Sequence, residues 1–433
     1  MTSKTAETID PSPREETIKL FDSWLAADGP VALRLRQRLL PVEADDNGRG
    51  VIFPPTYADI GYSVDTIADG TRVATIDTVG SQANRLEPIF KSTGKNDKGE
   101  ELNPLARLVP QIEIVLHKAG RKKGKSKEAE TQDEADVAEH VEKRSLLDLA
   151  HRSADAVVLA SPTLADEVSK AFKELRNTGN AAPLCAIAPT SLVFGVWDSR
   201  GDSGEKRPRL VRSIIRAWDV EVLHSAAQFN SVWKSLSEEQ KQELDKAPKA
   251  KGVKLSTAGF ADAPATFRKT KKIPQFVAGA PNPEARVLGG VLAKGAIERD
   301  VTINLVALRG LRGKRDAETR EVQKYLLGLA LLAATADLEL FLREGCLLRY
   351  ANDDTWTEVP RRGELAKVSI PEQGQLVAYA TAASALFKAK WPEGLKKDGQ
   401  PVLEHEFNLT EAKKLLVKKA DESPPSEQAS EQG

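Results

Sequence analysis

The sequence has few of the residues that build metal sites and disulfide frameworks. Its 433 residues include two cysteines, Cys185 and Cys346, and five histidines. Two cysteines cannot form a disulfide framework or a cysteine-rich zinc site, so we expect a reducing cytoplasm. The histidines are scattered, without an HExxH motif or another metal-ligand spacing. We therefore predict neither a bound metal nor another cofactor.

Aromatic residues and net charge are also scarce. Phe, Trp and Tyr make up 5% of the chain against 40% for all hydrophobic residues, which predicts a core of Leu, Val, Ile and Ala. The 63 basic and 63 acidic side chains cancel. The overall charge therefore does not indicate a nucleic-acid partner, and only local clusters can do so.

No segment has the pattern of a signal peptide or a membrane span. The first residues, MTSKTAETIDPSPREE, lack a basic region followed by an apolar one, so we expect a cytoplasmic protein without membrane contacts. The most apolar run, from Tyr325 to Leu342, contains Asp337 and Glu339. We predict that it is a buried helix.

The length of the chain favours two domains or one core with large insertions. Residues 1–15 and 420–433 are polar tails that we expect to be disordered. The charge-segregated block 118–142 is predicted to be an insertion, as is the Lys/Pro/Gly-rich block 246–284. The remaining core consists of three parts: 16–117 with a hairpin, 143–245 with a helical insertion, and 285–419.

Strand and helix patterns interleave along this core. Alternating runs predict strands at 31–42, 108–116 and 301–310, and a hairpin around Asp69-Gly70, whose turn needs positive φ. Apolar residues at helical spacing predict helices at 144–160, 162–177, 317–343 and 372–389. We therefore expect an α+β fold.

Three arginines share one face of the first predicted strand. In LRLRQRL, Arg34, Arg36 and Arg38 alternate with apolar residues, so their guanidinium groups would follow one another at about 6.6 Å. Such a row can track a phosphate backbone. An ordinary solvent-facing strand face that is rich in arginine explains the pattern equally well.

Two more basic clusters occur where strands and loops are predicted. RGLRGKR, from Arg309 through Arg312 to Arg315, carries four positive charges at a predicted strand end, and its glycines allow close backbone approach. The stretch from Ser199 to Arg216, SRGDSGEKRPRLVRSIIR, has more cations than acids, namely Arg200, Lys206, Arg207, Arg209, Arg212 and Arg216 against Asp202 and Glu205. Three such clusters together indicate an electrostatic groove, although each alone is compatible with ordinary surface.

The segment DTVGSQANRLEPIF has the pattern of a helix start. Ser81 is predicted to cap the helix, while Gln82, Asn84 and Arg85 place amides and a cation near its N-terminus, where an anion is favoured. A capped surface helix without a ligand is the alternative.

Signals for catalysis are weak. AGRKKGKS, from Ala119 to Ser126, satisfies a loose P-loop pattern, but it leads into an acidic polar run instead of a packed helix, so an ATP site is disfavoured. The chain contains no GxSxG nucleophile motif. A site built from carboxylates alone stays open, because 63 acids offer many spatial pairings.

Five blocks, in order from about residue 31 to 350, carry a family resemblance: RLRQRLLPV, VIFPPTYAD, IDTVGSQANRLE, LVFGVWDSRG and YLLGLALLAATADLELFL. They resemble the backbone subunit of type I CRISPR Cascade, the Cas-seven group of the RAMP superfamily, in its subtype I-G branch (formerly I-U). This resemblance implies a modified RRM/ferredoxin-like palm with large finger and thumb insertions. It also implies that several copies stack on a crRNA and present its spacer to target DNA, without catalysis.

The partners implied by the resemblance are further copies of the chain, the large subunit, the subunit that processes the repeat and binds the guide handle, and a recruited helicase-nuclease. The implied RNA-binding residues are Arg34, Arg36, Arg38, Ser81, Gln82, Asn84, Arg85, Trp197, Ser199, Lys206, Arg209 and Arg212. Arg309 and Arg312 are also predicted to bind RNA, on the charge of the RGLRGKR cluster. Asp198 belongs to the same matched block as Trp197. Trp197 either stacks on a base or closes the core, and we favour the core.

Two alternatives of other classes stay open. The first is a metal-dependent, RNA-cleaving backbone subunit of the type III kind, which would use a loop aspartate that no motif singles out here. The second is a P-loop nucleotide hydrolase that would act through Lys125 and Ser126.

Overall fold

The computed structural model of the protein describes residues 12–57, 60–118, 140–199, 201, 203–225, 236–249, 287–388 and 390–422. The P-loop-like stretch with Lys125 and Ser126 lies outside the described residues. So do most of the two predicted insertions and nearly all of the two predicted tails.

The described chain contains helices and strands in alternation, which confirms the α+β class. The helices are α1 Glu15–Leu25, α2 Val79–Leu86, α3 Ala156–Leu159, α4 Pro162–Thr178, α5 Ala182–Ile187, α6 Pro189–Val193, α7 Glu238–Lys249, α8 Leu305–Arg309, α9 Asp316–Thr335, α10 Gln373–Lys388 and α11 Leu409–Glu422.

The strands are β1 Ala32–Pro41, β2 Val51–Ile52, β3 Thr56–Tyr57, β4 Gly61–Tyr62, β5 Val64–Thr66, β6 Arg72–Asp77, β7 Glu113–Lys118, β8 His140–Ser145, β9 Val196–Trp197, β10 Lys206–Arg207, β11 Val211–Trp218, β12 Val220–Ser225, β13 Val287–Ala293, β14 Ile297–Asn304, β15 Phe341–Arg343, β16 Cys346–Tyr350, β17 Thr355–Val359, β18 Ala366–Lys367, β19 Lys396–Lys397, β20 Gln400–Pro401 and β21 Glu404–Glu406.

A nine-stranded antiparallel sheet organises the fold. Its order is β15-β16-β1-β14-β11-β6-β5, and β17 pairs with β1 beside β16 and carries β18. The long strands β1, β14 and β11 lie next to one another in the middle. β1 and β14 alternate buried and more exposed residues, and β11 does so except at Ile214, which is also buried. The sheet therefore has one face toward the core and one outer face.

Helix α9 packs against the inner face of the sheet, and α10 packs against α9. From Val322 onward nearly every residue of α9 is buried, and these residues share one apolar core with Leu33 and Leu35 of β1 and Val301 of β14. A Cβ atom on Gly328 of α9 would lie 3.0 Å from Ala380 in α10, so glycine lets the two helices approach closely. Within the described ranges no helix is both long and apolar enough to cross a membrane.

Several sequence predictions are confirmed at the level of single elements. The run 31–42 forms β1, and the patterns 162–177 and 372–389 form α4 and α10. Gly70 adopts a φ of 86° in the turn between β5 and β6, which pair as the predicted hairpin. In these segments the local pattern agrees with the packing of the whole molecule.

Other predictions were wrong in extent. The predicted helix 144–160 is instead the end of β8, two 3₁₀ turns and the single turn of α3, and Arg152 interrupts it with a φ of 54°. The predicted helix 317–343 ends at Thr335, because Leu338, Leu340 and Leu342 then turn inward at a period of two and lead into β15.

The predicted strands 108–116 and 301–310 are shorter than expected. A 3₁₀ turn ends at Leu108 before β7 begins at Glu113. Strand β14 ends at Asn304, whose side chain accepts a hydrogen bond of 2.9 Å from the backbone N–H of Ala307 and so caps α8. Arg309 therefore lies in a helix and not at a strand end.

Candidate nucleic-acid interface

The outer face of the central sheet carries arginines on β1 and β11, the two strands that flank β14. Strand register places Arg34 beside Thr302 and Arg212, and Arg38 beside Glu298 and Arg216. Arg36 stands between these rows, opposite Asp300. The predicted arginine face of β1 is confirmed, and β11 extends it with two more cations.

Two acids of β14 neutralise part of this face. Asp300 Oδ1 lies 2.8 Å from Arg34 Nη2 and 3.4 Å from Arg36 Nε, and Glu298 Oε1 lies 3.6 Å from Arg36 Nε. Arg38, Arg212 and Arg216 have no ion pair with any acidic residue that the structure describes. These three guanidinium groups therefore remain available to an external anion.

A basic cleft lies beside the outer face, at the small hairpin formed by β9 and β10. Its volume is about 420 Å³. Among the described residues no acidic side chain lines it, and the lining residues are Ala150, His151, Arg152, Gly195, Val196, Trp197, Ser199, Lys206, Arg207, Pro208 and Arg209. An anion in this cleft would therefore contact cationic side chains and backbone atoms, and none of the described lining residues would place a carboxylate beside it.

Trp197 stands on the wall of the cleft with its ring in solvent. Its exposed fraction is 57%, so the expectation that it closes the core is wrong. Lys206, its partner across the hairpin, places Nζ 5.2 Å from the ring centre. Ser199 is exposed nearby. The exposed ring offers a stacking surface next to a cation.

Asp198 fixes the shape of the loop that joins β9 to β10. Its buried carboxylate accepts hydrogen bonds from the backbone N–H groups of Gly201 and Ser203, at 3.1 and 3.3 Å, and from the Ser203 hydroxyl. A Cβ atom on Gly201 would overlap this carboxylate. Asp198 therefore organises the loop instead of facing a ligand.

Arg209 connects the cleft with the outer face. Burial lowers the pKa of its guanidinium, and the neighbouring charges of Arg152 and Arg212 lower it further. Arg152 lines the cleft and Arg212 stands on the outer face, so the charge of Arg209 interacts with both surfaces. No acidic residue of the described chain pairs with Arg209.

Helix α2 is built into the core more deeply than its sequence indicates. Thr78 caps it by accepting a hydrogen bond of 3.2 Å from the backbone N–H of Ser81, so the prediction of Ser81 as the cap is wrong. Asn84 is exposed, and its Oδ1 accepts a hydrogen bond of 3.4 Å from Arg152. Among the predicted residues of α2, Asn84 is thus the one joined to the cleft.

Gln82 and Arg85 belong to a polar network inside the protein. Gln82 is fully buried, donates to Asp77 Oδ2 at 2.6 Å and accepts from the Ser213 hydroxyl at 2.7 Å. Its Oε1 also accepts from Arg299 Nε at 3.3 Å. Arg85 donates to Asp77 at 3.1 Å. Burial removes Gln82 from any surface that RNA can reach in this structure.

Arg309 and Arg312 are not part of the cleft lining. Arg309 donates to the carbonyl oxygens of Trp24 at 2.7 Å and Pro30 at 2.9 Å, and so ties α8 to the end of α1 and the start of β1. Arg312 is exposed, and its backbone bridges to Asn180 after α4. Their predicted role in RNA binding stays a prediction.

Arg152 is the cleft residue that sequence reasoning missed. It stands in a segment with a helical pattern, and no local signal marks it as different from a surface arginine. Its importance becomes visible only from its burial and positive φ. In the parts of the chain that the structure describes, no group of three or more His, Cys, Asp or Glu side chains could hold a metal ion.

One family model matches part of this chain. Residues 33–222 match the model of the family described as CRISPR-associated protein GSU0053. Over this segment the chain is similar to a CRISPR-associated family. The segment runs from β1 into β12 and contains the cleft and the arginines of β1 and β11. The predicted resemblance to a CRISPR backbone family is confirmed, while the subtype stays a prediction.

The other comparisons add little to this match. Comparison with curated proteins gives no match. A solved chain described as "CRISPR RNA-guided surveillance complex, pre-nicking" is similar at 10% identity with a TM-score of 0.28, over 90% of this chain and 99% of that chain. Similarity at this level identifies neither a shared fold nor a shared function.

Proposed function

We propose that this chain is a non-catalytic, guide-RNA-binding backbone subunit of a type I CRISPR interference (Cascade) complex. One observation carries the proposal: a family segment associated with CRISPR contains a basic surface that runs from the cleft, through Arg209, onto the outer face of the sheet. Cations without acidic neighbours favour a polyanion, and nucleic acid is the polyanion that this family would meet.

The composition of this surface favours contacts to the RNA backbone. Arginines on the rigid strands β1 and β11 offer donors for phosphate oxygens, while the described surface has one exposed aromatic ring at the cleft, that of Trp197. Phosphate contacts position a nucleic acid without reading its sequence. A subunit that must accept any spacer needs this kind of binding.

The remaining features of the proposal follow from the family resemblance. The antiparallel sheet, with α9 on its inner face and α10 packed against α9, would serve as the RRM/ferredoxin-like palm. Several copies would line the spacer in the cytoplasm, and the RNA would pair with target DNA. The large subunit, the handle-binding subunit and a helicase-nuclease would be the other partners.

Charge reversal at the junction of the two surfaces tests the proposal. The double variant Arg209→Glu/Arg212→Glu would be coexpressed with the partner subunits and a CRISPR array, and the bound RNA would be quantified and sequenced. Both side chains are exposed and neither has a described acidic partner, so the fold should tolerate the change.

A second double variant, Lys98→Glu/Lys397→Glu, changes the total charge by the same amount at exposed positions outside the cleft and the outer face. We expect the control to retain protected RNA with repeat and spacer, and the Arg209/Arg212 variant to lose it. Equal RNA content in both variants would refute the proposed interface, and the absence of RNA from the wild-type complex would refute the proposed function.

A further inference from the structure

Arg152 is a buried arginine in the lining of the basic cleft. Its side chain is 4% exposed, and its Nε lies 2.6 Å from Glu87 Oε2. Its two terminal nitrogens donate to the carbonyl oxygen of Gly195 at 3.3 Å and to Asn84 Oδ1 at 3.4 Å. The guanidinium thus joins α2, the turn after it, and the strand that carries the cleft wall.

The backbone of Arg152 shows that this placement is specified by its surroundings. Its φ of 54° is unfavourable for a residue with a side chain, and such a conformation persists only where neighbouring contacts impose it. The guanidinium also lies over the Phe194 ring, 5.5 Å from its centre. An arginine on the open surface would have neither this backbone conformation nor this ring contact imposed on it by its neighbours.

Glu87 supplies the carboxylate opposite this guanidinium. It begins the 3₁₀ turn Glu87–Phe90 and is 1% exposed. Within the described part of the chain no acid lines the cleft, and the carboxylate of Glu87 that lies next to Arg152 is behind it, inside the protein. The charge state of Glu87 therefore determines how much of the Arg152 charge an anion in the cleft experiences.

We propose that Glu87 is a positioning residue of the cleft: its carboxyl group holds Arg152 against Gly195, and its ionisation sets the positive charge that the cleft presents to a phosphate. This inference rests on the proposed function, because it takes RNA as the anion. It predicts that RNA binding is linked to protonation of Glu87.

The direction of this linkage follows from burial. Burial raises the pKa of Glu87 to about 7, against the opposing charge of Arg152 and a hydrogen bond from Thr190. A phosphate near Arg152 adds negative charge and so favours the protonated form of Glu87 still more. RNA should therefore bind more tightly as the pH falls through 7, and more weakly as it rises.

Other charged groups surround Glu87 and have to be controlled. Asp148, which pairs with Lys91, raises the pKa of Glu87 further. His151 lines the same cleft beside Asp155, and histidine is the residue type that ordinarily changes charge near neutral pH. The experiment is therefore performed on a His151→Asn background.

The test measures binding of a fluorescein-labelled 30-nucleotide oligouridine RNA to the full-length chain at constant low ionic strength between pH 6 and pH 8.5. In the His151→Asn protein we expect affinity to fall two- to tenfold over this range, a coupling of roughly one pKa unit or less. The added Glu87→Gln substitution keeps the hydrogen-bond geometry and should give a flat profile at the higher affinity.

A flat profile for the His151→Asn protein overturns the inference, even if Glu87→Gln fails to fold. If the folded His151→Asn/Glu87→Gln protein keeps the same dependence of RNA affinity on pH, the inference is also overturned, because a group other than Glu87 must then cause that dependence. If the wild-type protein binds the RNA at no pH, the proposed function itself fails. Arg152→Lys, which keeps the charge but cannot contact Glu87, Gly195 and Asn84 with three separate nitrogens, should weaken binding while retaining the pH dependence.

Discussion

Removing an acid from the outer face should strengthen RNA binding. Asp300 pairs with both Arg34 and Arg36, so its carboxylate competes with phosphates for two cations. Asp300→Asn keeps the size and the acceptor oxygen but loses the negative charge. We expect the variant to bind single-stranded RNA more tightly than the wild-type protein.

The magnitude follows from counting cations without acidic partners. The cleft and the strands β1 and β11 offer five, Arg38, Lys206, Arg209, Arg212 and Arg216, so a phosphate at each gives a salt slope of about −3.5 per subunit at roughly 0.7 per phosphate. Arg36 keeps Glu298 as a partner, so Asp300→Asn releases one arginine, Arg34. This arginine should steepen the salt slope by about 0.7. At 0.1 M salt this corresponds to roughly fivefold tighter binding.

The assay is fluorescence anisotropy with the oligouridine RNA between 0.05 and about 0.5 M salt, the range in which counterion release dominates affinity. The matched control is Glu393→Gln, which removes an acid 2.6 Å from Lys396, at a site outside the cleft lining and the sheet. The control should leave affinity and slope unchanged. Equal or weaker binding by folded Asp300→Asn would contradict the assignment of the outer face as an RNA track.

Two further predictions concern stability, measured by denaturant unfolding. Gln82→Leu leaves Arg299 with one hydrogen-bond partner fewer at full burial and should cost about 2–4 kcal/mol; a loss below about 0.5 kcal/mol would contradict the network. Gly328→Val inserts atoms between α9 and α10, and we expect it to destabilise by about 1–3 kcal/mol. Gly374→Ala, where an added Cβ meets no atom within 4 Å, should be neutral or slightly stabilising.

The polar network under the sheet connects the core with the interface. Arg299 is fully buried in β14, between the outward-facing Glu298 and Asp300, and it donates to Gln37 Oε1 at 2.5 Å. Its partners Gln82 and Ser213 join α2 to β11. The strands that carry the outer-face arginines are thus held in register by hydrogen bonds on the opposite face, and not by apolar packing alone.

The sequence by itself determined the features that depend on local periodicity. In β1 the apolar and basic residues alternate, so Leu33 and Leu35 separate from Arg34 and Arg36 on any sheet that buries one face. The helical patterns of α4 and α10 and the Asp-Gly turn likewise needed no knowledge of their neighbours. The α+β class and the basic character of the β9–β10 hairpin follow from such local signals.

Tertiary structure alone decided which cations are free and which are already neutralised. Arg34 and Asp300 are 266 positions apart in sequence, and only the pairing of β1 with β14 brings them to 2.8 Å. The exposure of Trp197, the burial of Gln82 and the Glu87–Arg152 pair were decided in the same way. Burial and charge pairing depend on residues that are distant in sequence and come into contact only in the folded protein. A local sequence pattern therefore cannot predict them.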